Sequence, residues 1–261
     1  MKNIKFCSLV SGSSGNCQFI ETGNTKLLVD AGISGKRTEK LLKEIDVFAE
    51  DIDGILITHE HSDHIKGAGI LSRRYDIPIY ANEGTWEGME KSLGKMKAEN
   101  IKIVDDSEFE VGDFGIRTFD LYHDCNQPVG YTLHSGDKKV GILMDTGRTD
   151  PGIIKSIKNC DILMVESNHD RNLLKMGRYP IHLKKRIMGN WGHLSNEDAA
   201  EVIKKSAGKE NGIIVLGHMS RENNFPELAY TTVSNILKEA DLDSLRLEIA
   251  RRESRTDIIE I

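Results

Sequence analysis

The sequence has few of the features that mark membrane or secreted proteins. No run of apolar residues approaches the roughly 18 that are needed to span a bilayer. The first residues, Met1 to Cys7, show neither the apolar stretch nor the small-residue cleavage site of a signal peptide. With 38% hydrophobic residues, the chain can still bury a full core. These absences favour a cytoplasmic protein that has no membrane partner.

Proline, cysteine and low-complexity sequence are also scarce. Only 5 of the 261 residues are proline and no linker divides the sequence, so we expect a single domain over residues 1–261. The 4 cysteines form no Cys-x-x-Cys pair, which favours reduced thiols over a disulfide framework or a redox centre. The net charge of −6 argues against a protein that coats nucleic acid through its overall charge, although a local basic groove is still allowed.

What the chain does contain is a dense cluster of residues that bind metals. Residues 55–64 read Ile-Leu-Ile-Thr-His-Glu-His-Ser-Asp-His, an apolar strand end followed by His59, His61, Asp63 and His64. In an extended backbone the two first imidazoles point to one side, and a turn into a helix brings the last two residues to a neighbouring point. Two metals could therefore share the loop. Imidazole and carboxylate ligands without cysteine favour an open, catalytic Zn, Mn or Fe site over a closed structural one.

The order of predicted elements is typical of an α/β protein. A hairpin-rich first half, with helices at 34–45, 64–75 and 83–98, precedes a second half in which strands and helices alternate again. This order predicts two packed mixed sheets with helices outside.

Several predicted strands end at an ionisable residue. The residues in question are Asp30, His123, Asp145, Glu166 and His218. In open α/β sheets the ends of strands line the ligand crevice. We therefore expect these side chains to meet the histidine-rich loop at one edge.

A long stretch without acidic residues lies between Glu166 and His193. From Arg171 to Asn196 there is no Asp or Glu. The six basic residues of this stretch are Arg171, Lys175, Arg178, Lys184, Lys185 and Arg186. On an otherwise acidic protein this run indicates a polyanionic ligand, with a solvated helix face as the alternative.

Two further features could contact phosphate. The tight loop Ser-Gly-Ser-Ser-Gly-Asn at residues 11–16 lets backbone amides approach an anion, so Ser13 and Asn16 are candidate contacts. His169 is another candidate, whereas the roles of His182 and His134 stay open, with a structural role favoured for His134.

With these residues assembled, the chain resembles the metallo-β-lactamase fold hydrolases along nearly its whole length. The resemblance implies a four-layer αββα sandwich. It also implies that His59, His61 and His123 hold one metal and that Asp63, His64 and His218 hold the other. Asp145 would bridge the two ions, and Asp30 would support the ligands from behind.

Motifs such as Gly192-His193-Leu194-Ser195 and Leu216-Gly217-His218-Met219-Ser220 are similar to those of tRNA 3′-processing endonucleases. That resemblance implies that His193 and Glu166 form a pair that assists departure of the leaving group. His193 held by a carboxylate would be a suitable proton donor near neutrality. Asp63, Glu166 and His193 are thus the candidate catalytic residues.

Over the whole chain the sequence is most similar to the WalJ/YycJ family, which is described as 5′ to 3′ exonucleases of double-stranded DNA. Asp145 and His218 lie only 73 positions apart, too few for the domain inserted there in β-CASP nucleases. The chain also lacks a long glycine-rich arm for gripping tRNA, so an RNA-processing endonuclease is disfavoured.

These observations predict a metal-dependent phosphodiesterase with two divalent ions, Zn or Mn with Fe as an alternative, that acts on nucleic acid, in particular DNA. The alternative enzyme is a small-molecule, for example cyclic, phosphodiesterase. A metal-binding redox or regulatory module on the same fold is the non-hydrolytic alternative.

Overall fold

The computed structural model describes residues 3–104, 106–208 and 212–261. Its strands are β1 (Lys5–Val10), β2 (Cys17–Glu21), β3 (Lys26–Val29), β4 (Gly54–Leu56), β5 (Ile79–Ala81), β6 (Ile101–Ile103), β7 (Glu108–Val111), β8 (Phe114–Asp120), β9 (Val129–Ser135), β10 (Lys138–Leu143), β11 (Ile162–Glu166), β12 (Ile213–Gly217), β13 (Arg246–Ile249) and β14 (Ile259–Glu260). Its α-helices are α1 (Gly35–Lys43), α2 (Ser62–Ile65), α3 (Ala68–Tyr75), α4 (Glu83–Leu93), α5 (Pro151–Ile157), α6 (Arg171–Met176), α7 (Ile181–Ile187), α8 (Asn196–Ser206) and α9 (Pro226–Glu239).

The strands form two seven-stranded mixed sheets. The first has the order β14-β1-β2-β3-β4-β5-β6 and the second the order β13-β12-β11-β10-β9-β8-β7. In each sheet the first hairpins are antiparallel and the later strands are parallel, from β3 to β6 and from β10 to β13. Strand β14 brings the end of the chain back to pair with β1.

Side chains alternate between two hydrophobic layers along the central strands. On β11, Ile162 and Met164 face the other sheet, while Leu163 and Val165 pack outward against helices. This period of two is what a strand buried on both faces requires. Helices α1, α3 and α4 cover the first sheet and α5, α8 and α9 cover the second. The predicted αββα sandwich of two mixed sheets is confirmed.

Two predicted helices differ from the observed ones. The helix expected over 64–75 is divided into α2 and α3 at Gly67, where a Cβ atom would lie 2.2 Å from the Ile33 carbonyl oxygen. The helix expected over 83–98 ends at Leu93, because Gly94 adopts a φ of 75°. Gly67 permits a close approach to the Ile33 backbone, and Gly94 permits the positive φ at which α4 ends.

None of the helices in the described ranges combines the length and the apolar composition needed to cross a membrane.

Candidate metal centre and active site

Strand ends from both sheets meet at one edge of the sandwich. Asp30 follows β3, Asp145 follows β10 after one residue, and His218 follows β12. All three have a left-handed backbone, with φ of 59°, 53° and 53°. This conformation is uncommon for residues other than glycine, although Asp adopts it more readily than most. It also occurs at turns elsewhere, for example at Asp46 and Asp76. The meeting of the three strand ends, rather than their backbone conformation, therefore points to a functional site.

Three imidazoles form the first group of candidate ligands. His61 Nδ1 lies 3.1 Å from His59 Nε2 and 3.3 Å from His123 Nε2. Three nitrogens that share a tetrahedral zinc ion at 2.0–2.1 Å would be about 3.4 Å apart. Burial lowers the pKa of His59 well below its usual value and also lowers the pKa of His123. Converging imidazole nitrogens at these distances fit a metal ion.

The outer nitrogens of this group are held by hydrogen bonds. His123 Nδ1 donates to the Gly192 carbonyl at 3.2 Å, and His59 Nδ1 donates to Thr58 Oγ1 at 3.0 Å. These bonds leave Nε2 of each ring as the nitrogen with a free lone pair. Outer hydrogen bonds of this kind orient the ligands of metal sites.

The second group combines carboxylates with imidazoles. Asp63 Oδ2 lies 3.7 Å from both His64 Nε2 and His218 Nε2. Asp145 Oδ2 lies 2.9 Å from His64 Nε2 without the geometry of a hydrogen bond. His218 Nε2 is buried and has no hydrogen-bond partner among the described residues. Buried polar atoms without a partner are costly. A bound cation would satisfy both Asp145 Oδ2 and His218 Nε2.

One buried carboxylate supports ligands of both groups. His64 Nδ1 donates to Asp30 Oδ2 at 2.7 Å. The Thr58 hydroxyl donates to the same carboxylate at 3.0 Å and accepts the bond from His59. The Thr58 backbone NH adds a further bond to Asp30 Oδ1 at 2.9 Å. Asp30 therefore fixes one ring directly and a second ring through Thr58.

A second buried carboxylate joins His193 to the site. Glu166 Oε1 accepts from His193 Nδ1 at 2.7 Å and from His218 Nδ1 at 2.8 Å, and its Oε2 accepts from two backbone NH groups. Burial opposes charge on the His193 imidazole, but the carboxylates of Glu166 and Asp145 outweigh burial and raise its pKa to about 10. The raised pKa favours the protonated form of His193 beside the candidate ligands.

Asp145 stands between the two groups. Its Oδ1 lies 3.1 Å from His218 Nδ1 and 3.3 Å from His193 Nδ1, while its Oδ2 faces His64. Ligand atoms of His59, His64 and Asp145 lie within 4.8 Å of one another, as do those of Asp63, His64 and His218. The donor set of imidazoles and carboxylates fits divalent metal ions.

The candidate ligands open into a pocket of about 170 Å³. Its lining includes Ser13, His123, Tyr179, Arg186, His193 and Ser220. The structure therefore places the exposed tip of the residue 11–16 loop at the mouth of the pocket, as the phosphate-contact hypothesis for Ser13 requires.

Asn16 and His169 lie deeper than a surface contact would. The Asn16 carboxamide is buried, accepts from the Gly12 backbone NH at 3.0 Å and lies 3.1 Å from His64 Nε2. His169 is also buried, and burial lowers its pKa to about 4. Both side chains are buried, and Asn16 contacts a candidate ligand nitrogen.

We call residues Arg171 to Asn196, which include no Asp or Glu, the acid-free segment. Its basic residues fall into two classes. Arg171 is bonded to Asp198 and to Ser195, which caps α8, and Arg186 is paired with Asp124. Lys184 donates to the carbonyl of Lys175. Lys175, Arg178 and Lys185 are exposed and have no ion pair among the described residues. His182 is exposed on α7.

Sequence reasoning did not single out Thr58 or the Gly192 carbonyl, although both orient candidate ligands. Thr58 immediately precedes the histidine cluster, and its position between an apolar strand and the ligands was an available signal. The Gly192 carbonyl carried no such signal, because it is brought to His123 by the turn that follows α7.

Comparison with known proteins identifies the family of the chain. A family model described as a β-lactamase superfamily domain matches residues 25–219. Exodeoxyribonuclease WalJ from Streptococcus pneumoniae serotype 2 is 46% identical over 241 residues, which cover 91% of this chain and 90% of that protein. Exodeoxyribonuclease YycJ from Bacillus anthracis is 43% identical over 237 residues, or 90% of each chain.

The fold is also found among solved structures. The metallo-β-lactamase fold protein YhfI from Bacillus subtilis superposes with a TM-score of 0.75 at 20% identity, covering 100% of both chains. The fold, the candidate metal centre and the extent of the sequence matches together show that this chain belongs to the β-lactamase superfamily and, within it, to the family that contains WalJ and YycJ.

Proposed function

We propose that the protein is a metal-dependent exodeoxyribonuclease that degrades double-stranded DNA from 5′ to 3′, with residues 1–261 acting as one domain. The observation that carries the proposal is the His193–Glu166 pair, bonded at 2.7 Å, beside two groups of candidate metal ligands. WalJ and YycJ are both named exodeoxyribonucleases, which supports DNA as the substrate.

In this proposal the site holds two divalent ions, Zn or Mn, with Fe as an alternative in the purified protein. The first ion would be held by His59, His61 and His123, and Asp145 would serve both ions. The remaining ligands of the second ion are Asp63, His64 and His218. The close approach of ligand atoms in both groups supports this assignment.

When bound, the ions would supply an activated water and neutralise charge on the phosphoryl oxygens. The residues of the chain provide the other elements. Glu166 holds His193 through Nδ1, so that the other ring nitrogen, Nε2, carries the proton that the leaving alkoxide needs. Asp30 and Thr58 keep the ligand rings in place.

The decisive experiment is a nuclease assay of the metal-loaded protein with 5′- and 3′-labelled duplex and single-stranded DNA. We expect mononucleotide release from 5′ ends of the duplex. Asp145→Asn is the matched inactive control, because asparagine tolerates the left-handed backbone of Asp145 while removing its charge. Turnover of cyclic phosphodiesters without DNA degradation would favour the small-molecule enzyme, and internal cleavage of RNA would favour an RNA-processing endonuclease.

We propose that the acid-free segment binds the DNA substrate. Its exposed residues Arg178 and Lys185 would contact phosphate groups. The variant Arg178→Glu/Lys185→Glu should lower the salt slope of DNA binding by about 2, because two phosphate contacts are lost. The measurement is the DNA dissociation constant over a range of salt concentrations.

A matched control places the same charge change elsewhere. Lys91 on α4 and Lys238 on α9 are also exposed, so Lys91→Glu/Lys238→Glu alters the net charge equally. An equal loss of salt dependence in both double variants would show that the segment acts only through overall charge.

A further inference from the structure

A large aromatic side chain is exposed beside the active site. Trp191 is 56% accessible to solvent and lies two residues before His193. The other tryptophan, Trp86, is only 7% accessible and packs in the core under the first sheet. Exposing an indole forgoes the gain from burying its apolar surface, so its position next to the reaction site calls for an explanation.

The turn that carries Trp191 is held firmly. Gly192 N donates to the Gly189 carbonyl at 3.0 Å, and His193 N donates to the Ile187 carbonyl at 2.9 Å. The turn also packs against Gly147, where a Cβ atom would lie 2.4 Å from the Gly189 carbonyl oxygen. The indole is thus presented to solvent from a fixed backbone.

Two neighbours pack beside the indole. The Tyr122 ring lies edge to face with Trp191, with centroids 5.7 Å apart at 68°. The Arg148 guanidinium carbon lies 3.8 Å above the centre of the Tyr122 ring. Tyr122 is fixed in turn, because its hydroxyl donates to Asp150 Oδ2 at 2.6 Å. We call these three residues, Trp191, Tyr122 and Arg148, the stacking wall.

The stacking wall is tied to the candidate ligands at two points. Tyr122 directly precedes His123, and Trp191 directly precedes Gly192, whose carbonyl accepts from His123 Nδ1. The exposed cations Arg178 and Lys185 belong to the same acid-free segment as Trp191. An exposed aromatic face beside a guanidinium is a combination that binds a nucleotide of a nucleic acid strand through base and phosphate.

We propose that the stacking wall binds one nucleobase of the DNA strand next to the phosphate that is being cleaved, with Trp191 as the stacking partner. This proposal rests on the proposed nuclease function and adds the contact that positions the strand end. Stacking needs only the face of a base, so the wall accepts all four nucleobases and confers no sequence preference.

The kinetic test compares normal and abasic DNA. Trp191→Ala should raise KM for a normal duplex by about 5- to 150-fold, the range that loss of one base stack produces. Trp191→Phe should retain most of the affinity. On a duplex whose 5′-terminal nucleotides are abasic, the KM of the wild type should rise by a similar factor. Trp191→Ala should raise KM for this abasic duplex little further. Phe48→Ala removes another exposed aromatic, 53% accessible, and should leave both substrates unaffected.

A binding test separates this proposal from the nuclease assignment. A DNA oligonucleotide with phosphorothioate linkages should quench the tryptophan emission of the metal-loaded wild type, and Trp191→Leu should remove this quenching while labelled-oligonucleotide anisotropy still reports binding. Quenching by the oligonucleotide, together with no hydrolysis of normal DNA, would support base binding by the stacking wall and contradict the proposed nuclease function. Hydrolysis without quenching, or equal losses for Trp191→Ala on normal and abasic DNA, would overturn the wall.

Discussion

Asp30 and Glu166 are buried carboxylates from different sheets, and each holds two imidazoles in the active site. Asp30 orients His64 directly and His59 through Thr58. Glu166 orients His218 and His193. The difference lies in what they orient, because both rings on Asp30 are candidate metal ligands, whereas one of the rings on Glu166 is the candidate proton donor.

The comparison indicates that the two carboxylates, Asp30 and Glu166, have separable roles in the candidate site. A buried carboxylate is tolerated only when several hydrogen bonds satisfy it. Glu166 accepts four, and although burial raises its pKa, the bonded His193 and His218 lower it to about 2. The lowered pKa favours the ionised form of Glu166. In the proposed mechanism Glu166 would couple metal binding to proton transfer, while Asp30 would serve metal binding alone.

Removing the charge of Glu166 should have the largest effect. In Glu166→Gln we expect kcat on DNA to fall by about 100- to 10,000-fold and metal affinity to fall by about 10- to 100-fold. Metal titration and steady-state kinetics at saturating metal measure the two effects separately. If Glu166→Gln lost only catalytic rate or only metal affinity, Glu166 would not couple the two properties.

His193→Ala should lower kcat on DNA but should not lower metal affinity. With an alkoxide leaving group the rate should fall by about 100- to 10,000-fold, the range for a positioned general acid. Metal content should be unchanged. With bis(p-nitrophenyl) phosphate, whose leaving group departs without a proton, the loss should be much smaller, and an equal loss on both substrates would remove His193 from this role.

Asp30→Asn should give the complementary half, a loss of metal affinity of about 10- to 100-fold with a normal rate at saturating metal. Asparagine is the conservative choice, since it accepts the φ of 59° at this position. Isothermal titration of the metal-stripped protein measures the affinity. A reduced rate at full metal occupancy would contradict a role restricted to ligand positioning.

Thr58→Val should have the smallest effect, a loss of about 10-fold in metal affinity, because it removes the link between Asp30 and His59 but leaves the direct bond to His64. The matched control Thr58→Ser keeps the hydroxyl and should bind metal like the wild type. Equal affinities in all three proteins would mean that His59 needs no support from Asp30.

Much of the site could be predicted because it depends on local sequence. The histidine cluster follows an apolar strand, and ionisable residues follow strands β3, β10 and β12. Burial on both faces gives these strands their apolar pattern, and strand ends are where an α/β sandwich exposes polar groups. The two helix boundaries that differed, at Gly67 and Gly94, depend on glycine in positions that the pattern of apolar residues does not reveal.

By itself, the sequence determined the αββα architecture and the types of residue gathered at one edge, since alternating burial and clustered ligands are properties of the chain read in order. Only the tertiary structure decided which atoms meet. Glu166 reaches both His193 and His218, and Thr58 links Asp30 to His59, because β3 and β4 of one sheet and β11 and β12 of the other end side by side. Such contacts join residues up to 52 positions apart, and no local pattern encodes a distance that only the packing of two sheets fixes.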